Sequence, residues 1–251
     1  MSRTLLLLFL CLAGAPPQAP VQVSPQRPRD PWVFRSVLDG RARMVTVALA
    51  NELWVAYDAG TCGLTKAWTG GVHFDGAVYT TVHGPQPKSE GAAYVESKAP
   101  ALWRYRDAAG VETELRPRWR GYRLEQGQVR LLSSFALPGG AEAQVEETPE
   151  FVRPERLFED PTSHAPWLVR GLVGFRRTFH ATGLSAGTSL SVSVEADCVG
   201  YLMDRLSGSV DREVALPDGT KGRRLEGRLV LAAESPGNDV ILFFRPVKGS
   251  R

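Results

Sequence analysis

The groups best suited to bind or react crowd into Lys66-Ala67-Trp68-Thr69-Gly70-Gly71-Val72-His73-Phe74-Asp75-Gly76, followed by Tyr79 and His83-Gly84-Pro85. His73, Asp75 and His83 bring imidazole and carboxylate donors, the atom types that bind metal cations. Their spacing matches no standard ligand set, although a strand would put positions 73 and 75 on the same side. Trp68, Phe74 and Tyr79 offer rings for stacking on a flat ligand, and the glycines would let a backbone approach another surface. A plainer reading carries more weight: a glycine-rich turn whose aromatics plug the core and whose histidines are hydrogen-bonded.

A second cluster is Trp103-Arg104-Tyr105-Arg106, then Arg116-Pro117-Arg118-Trp119-Arg120-Gly121-Tyr122-Arg123. Two-residue alternation would project Arg116, Arg118 and Arg120 to one side and Trp119 to the other. Such a stripe suits an acidic partner, lipid head groups or sugar rings. The competing reading is a solvated strand face whose arginines pair with Glu112, Glu114, Glu146 and Glu147. Carboxylates for glycoside hydrolysis can be drawn from Asp75, Glu146, Glu147 or Glu150. In a chain with 27 acids such a pair arises by chance. Gly-x-Ser-x-Gly, phosphate-loop and zincin motifs are absent, so a serine nucleophile has no local support. Cys-x-x-Cys-His is absent too, and no cofactor is expected.

The elements that must position these groups read as short strands. Alternating runs cover Arg43 to Leu49, Leu53 to Tyr57, Ala77 to Val82, Trp119 to Leu124, Val129 to Leu137 and Glu142 to Thr148. A second series covers Gly174 to His180, Ser189 to Ala196, Arg223 to Ala232 and Asp239 to Arg245. Glu125-Gln126-Gly127, Pro138-Gly139-Gly140, Pro217-Asp218-Gly219 and Pro236-Gly237-Asn238 punctuate them at sandwich spacing. The pattern predicts an all-β fold: one large antiparallel β-sandwich, supersandwich-like, over residues 32–251. A proline-broken interval from Pro149 to Pro166 is either a long loop or a hinge.

Hydrophobic residues are 43% and charged residues 23% of the 251, which excludes wholesale disorder. The 30 Lys and Arg nearly balance the 27 Asp and Glu, so nucleic acid is not expected as a partner. Met1-Ser2-Arg3 leads into an apolar stretch through Ala15, the pattern of a secretory signal and short for a membrane span. Residues 1–15 rank first as a cleaved signal, second as a retained anchor and third as a lipid-modified Cys11. Residues 16–31 are proline-rich and read as an extended tether, able to hold the domain at a membrane surface. In an oxidising compartment Cys62 and Cys198 could pair, or they could remain two separate buried thiols.

The run WVFRSVLDGRARMVTVAL, LWVAYD and GGVHFDGAVYTTVHGPQP resembles an uncharacterised secreted domain of bacterial proteins, which there precedes a c-type cytochrome or a periplasmic dehydrogenase module. The strings WRGYRLEQGQVRLLSSF, AEAQVEETPEF and GFRRTFHATGLSAGTSLSV are similar to the rest of that domain. The haem-binding module has no counterpart in these 251 residues, so the chain resembles the non-haem partner domain by itself. The resemblance implies an extrinsic periplasmic subunit seated on a membrane-bound, cytochrome-containing electron-transfer complex, such as a photosynthetic reaction centre. It equally implies carbohydrate recognition. The leading expectation is a non-catalytic accessory subunit, touching its partner through the Trp68 to His83 loop and the Arg116 to Arg123 strand. A carbohydrate-binding module stacking sugars on Trp68, Trp103 or Trp119 comes second, and a hydrolase third.

Overall fold

The computed structural model describes residues 30–97, 99–154, 171–203, 206–233 and 238–246. The leader and tether expectations, and most of the proline-broken interval, lie outside those residues. The chain opens with a meander of β1 (Trp32–Leu38), β2 (Arg41–Ala50), β3 (Leu53–Asp58) and β4 (Gly63–Trp68). A short hairpin of β5 (Gly71–His73) and β6 (Lys88–Glu90) follows, and β7 (Ala93–Glu96) returns to the meander's edge. Next come β8 (Trp103–Arg106), β9 (Glu112–Leu115), β10 (Arg118–Glu125), β11 (Gln128–Ala136), β12 (Glu142–Val152) and β13 (Val173–Thr182). The last are β14 (Ser189–Cys198), β15 (Gly200–Met203), β16 (Leu206–Ala215), β17 (Lys221–Ala232) and β18 (Asn238–Phe244).

All pairings are antiparallel. They build a meander sheet β1-β2-β3-β4-β7, a six-stranded sheet β10-β11-β12-β13-β18-β15 and a third sheet β16-β17-β14-β8-β9. The turns follow local chemistry. Asp39-Gly40 and Gln126-Gly127 both have positive φ at the two loop positions, 50° and 76° and then 51° and 78°. Those are the dihedral signs of a two-residue hairpin whose twist matches its strands. The β-sandwich expectation holds. Among the described residues no helix is long and apolar enough to cross a membrane.

One core joins the three larger sheets. Val45, Val55 and Tyr57 of the meander meet Val145, Phe175 and Leu242 of the six-stranded sheet, with Trp103, Val192 and Leu229 from the third. Ring contacts cross the layers: Tyr94 stacks on Phe244 with centroids 5.0 Å apart, and Trp103 lies 4.7 Å from Phe135. The meander is also covered on its other face, where Leu38, Met44, Trp54, Ala56, Trp68 and Val72 form a smaller cluster. Burial on both faces is why LWVAYD reads as a continuous apolar run, without clean alternation.

The layers are clamped by a buried polar trio. The Tyr57 hydroxyl donates to Glu147 Oε1 at 2.7 Å, and Arg177 donates to the same carboxylate through Nε at 2.6 Å and Nη2 at 3.1 Å. Burial disfavours the Arg177 charge, but Glu147 and Tyr57 more than offset that and hold its pKa above the ordinary arginine value. Burial, then the Glu147 charge, pushes the Tyr57 phenol well above 10. Such a carboxylate is satisfied and occupied, which suits a clamp.

Two expectations about strands change. β12 runs on through Pro149 to Val152, because Pro149 lies past the last β11–β12 pair, Leu131 with Glu147, where its missing N–H removes no bond from that ladder. Ala77 to Val82 forms no strand. The Ala77 N–H bonds to Pro85 O at 2.8 Å, closing a loop before any ladder can form. Gly76 makes this closure possible, with φ of +65° and a position where a Cβ would stand 1.9 Å from Pro85 O.

Candidate contact surfaces

From Trp68, the last residue of β4, to Pro87 the chain folds as a flap over the outer face of the meander. Its aromatics divide by depth. Trp68 is fully buried, and its indole N–H donates to Gly71 O at 2.8 Å. Phe74 packs against Trp32 and Phe34 with centroids 5.8 and 4.9 Å away, closing an aromatic patch that continues to Trp54. Tyr79 and Val82, by contrast, stand 82% and 79% exposed, with Val78 partly exposed beside them. The Val37 N–H reaches Val78 O at 2.7 Å, so this apolar tip is pinned to β1.

A polar latch holds the flap's other side. Asp39, in the β1–β2 turn, accepts from the Ser89 N–H at 2.9 Å, the Ser89 hydroxyl at 2.8 Å and Lys66 Nζ at 3.0 Å. Partial burial pushes the Asp39 carboxyl up, but the two Ser89 bonds and the Lys66 ammonium outweigh it and hold the pKa below the usual value. Asp39 lies outside the residues picked from sequence. Its only signal there is an Asp-Gly pair, which announces a turn and says nothing of what reaches that turn from fifty positions away.

His73, Asp75 and His83, the residues with metal-ligand atom types, do not come together. His73 sits at the end of β5 opposite Lys88, with Nδ1 3.5 Å from Glu90 Oε1, while Asp75 and His83 are exposed on the loop. Among the described residues no group of three or more His, Cys, Asp or Glu could hold a metal ion. The acids proposed for hydrolysis are committed elsewhere: Glu146 to Arg130 at 2.7 Å, Glu147 to the trio, and Glu150 to Gln128. Trp103 is buried and donates its N–H to Thr61 O at 3.0 Å. With Trp68 and Trp103 both inside, neither can serve as a sugar-stacking platform, which corrects that expectation; Trp119 is half-buried against the core. Around Tyr57, Cys62, Trp103, Trp119, Ser133 and Glu147 there is a cavity of about 10 Å³, room for one water.

Cys62 and Cys198 are both buried, and no disulfide joins them. Cys62 lies in the β3–β4 turn with Sγ 3.8 Å from Ala59 O, and Cys198 ends β14 in a different sheet. Burial, then the charges of Asp58 and Glu147, pushes the Cys62 thiol up to about 12. That thiol is inert at neutral pH.

Of the arginine stripe, Arg118 and Arg120 lie in β10, an outer strand of the six-stranded sheet, and Arg116 lies in the link from β9. The alternation of β10 breaks, because a bulge between Trp119 and Gly121 leaves Arg120 without an opposite residue. The bulge re-aims Arg120, whose Nε donates to Ser134 Oγ at 2.8 Å and whose Nη2 meets Glu142 Oε1 at 2.7 Å. Of the partners expected from sequence, Glu112 instead serves Arg228 and Arg104, Glu146 serves Arg130 and Glu147 serves Arg177. Arg116 and Arg118 remain exposed. Beyond the bulge, Tyr122 lies opposite Leu131 and Leu124 opposite Val129, and both of those partners are core residues. Directly opposed residues share a face. Tyr122 and Leu124 therefore point to the core side of the sheet, yet they are 41% and 44% exposed.

No protein-family model and no curated protein matches this chain.

Proposed function

We propose that this chain is a non-catalytic, extracytoplasmic accessory subunit that docks on a membrane-associated electron-transfer complex, of the photosynthetic reaction-centre kind. The observation that carries the docking reading is the edge of the six-stranded sheet. Tyr122 and Leu124 extend the core face outward and stand exposed, and among the described residues the strand's outer edge has no neighbour in the sheet. Natural proteins blunt such edges or use them. Arg118, on the other face of the same strand opposite Ser134, and Arg116 just before the strand add the aromatic-plus-arginine composition of interface anchors to this edge, and suit a partner surface rich in carboxylates. The electron-transfer character of the partner comes from the sequence resemblance, and the membrane setting from the apolar leader and proline-rich tether.

The test is purification of the native chain from detergent-solubilised membranes. It should travel with a multisubunit, haem-containing complex, and the double variant Tyr122→Ser/Leu124→Ser should release it. Recovery of the unaltered chain solely as a free monomer would overturn the proposal.

A further inference from the structure

The flap's apolar tip has no part in the docking edge, and its chemistry differs. Between Phe74 and Pro87 the only formally charged side chain is Asp75, and the tip presents Val78, Tyr79, Thr80, Thr81 and Val82. A protein-binding surface typically rings its apolar centre with a polar, charged rim. This tip has hydroxyls in place of charges. Tyrosine with one apolar body and one polar end is the residue type enriched at the boundary between hydrocarbon and water.

The tip is also held rigidly in an exposed pose. Val78 O accepts from β1, Ala77 and Pro85 close the loop's neck, and the Val82 N–H bonds to Thr80 Oγ1 at 3.1 Å. These bonds tie the tip's neck to the fold, and the interfacial region, unlike the hydrocarbon core, supplies water and head groups to the tip's remaining amides. The position of the chain's exit supplies the occupant. The described fold begins at Asp30, and Trp32 packs on Phe74 at the base of the same loop. The tether and the apolar stretch through Ala15 thus join the fold at the Trp32 end of β1, about 17 Å along that strand from Val37, which holds the tip.

We infer that the Val78 to Val82 tip seats in the interfacial region of a lipid bilayer, giving the domain a second membrane contact at the far end of β1 from its N-terminal tether. This rests on the reading that the domain works at a membrane. The contact is apolar and nearly uncharged, so it should depend on buried side-chain area and be insensitive to salt. It would set the orientation of the slab and bring the tyrosine hydroxyl to head-group depth.

The experiment uses the full chain and vesicles of zwitterionic phosphatidylcholine with brominated acyl chains. Val82→Trp adds an indole at the tip, read as the difference in emission from the unaltered protein. The expected result is quenching and a blue shift of the added emission, unchanged between low salt and 0.5 M salt. Tyr79→Ser/Val82→Ser should weaken vesicle partition about tenfold, which corresponds to about 1.4 kcal/mol. A vesicle-bound chain whose added indole is not quenched would overturn the inference, since the tether alone would then be holding it. So would a chain that does not partition at all. Failure of co-purification leaves this readout untouched, so loss of the docking reading and loss of the lipid contact are told apart.

Discussion

Replacing Arg177 with methionine would strip the cation from a carboxylate that solvent barely reaches. Glu147 would keep the Tyr57 bond at 2.7 Å and lose both guanidinium bonds, at 2.6 and 3.1 Å. The side chains of Arg177 and Glu147 are only 4% and 6% exposed, so water cannot replace what is removed. Breaking a buried pair from one side costs about 3–5 kcal/mol, a large share of a typical total near 5–15 kcal/mol. The aliphatic part of methionine fills much of the arginine stem's volume, so little of that loss is cavity. The control is Tyr57→Phe/Glu147→Leu/Arg177→Met, which removes every polar member at similar volume. It should recover most of the stability, because no unpaired charge or hydroxyl is left inside. Urea unfolding at neutral pH measures all three proteins. A loss below about 1 kcal/mol in the single variant would show that water reaches the carboxylate, contrary to the burial described. A triple variant no more stable than the single one would show that packing, and not charge, carries the clamp.

Two further outcomes follow from the latch and the thiols. Asp39 has a depressed folded pKa, so its stabilisation is present above the unfolded value near 3.9 and is lost as pH falls through the lower folded value. Amide exchange at Ser89 should quicken across that acid window, by less than about 1 kcal/mol of protection, and Asp39→Asn should be fast at every pH. Cys62 and Cys198 should resist alkylation in the native protein and react without reductant once it is unfolded in denaturant. Intact mass decides, since a need for reductant would mean that a disulfide forms.

The class of fold was legible because alternation and turn chemistry agree. Gln126-Gly127 announces the β10–β11 hairpin, and the positive φ values there are those the pair is suited to adopt. The same alternation misleads at Ala77 to Val82, since a closed loop and a strand can share a pattern when a bond 8 residues away decides between them. Depth was the least legible property. Trp68 and Tyr79 look alike as stacking residues, and only the flap's placement over the meander buries the first and leaves the second in water. Ion-pair partners were misjudged for a similar reason. Arg120 was expected to turn to acids near in sequence or on β12's centre, whereas a one-residue bulge turns it to Glu142. Asp39 escaped notice because its partners, Lys66 and Ser89, lie far along the chain.

The placement of β18 has a consequence for how the molecule is made. It is the last strand of the described residues to be synthesised, yet it lies between β13 and β15, bonded to both. Until it emerges, the six-stranded layer is two separate pieces, and Phe244 is not there to meet Tyr94. A chain whose synthesis has not yet reached β18 should therefore hold a sticky, half-closed interior that needs chaperoning, and deleting that single strand should cost far more than its length suggests.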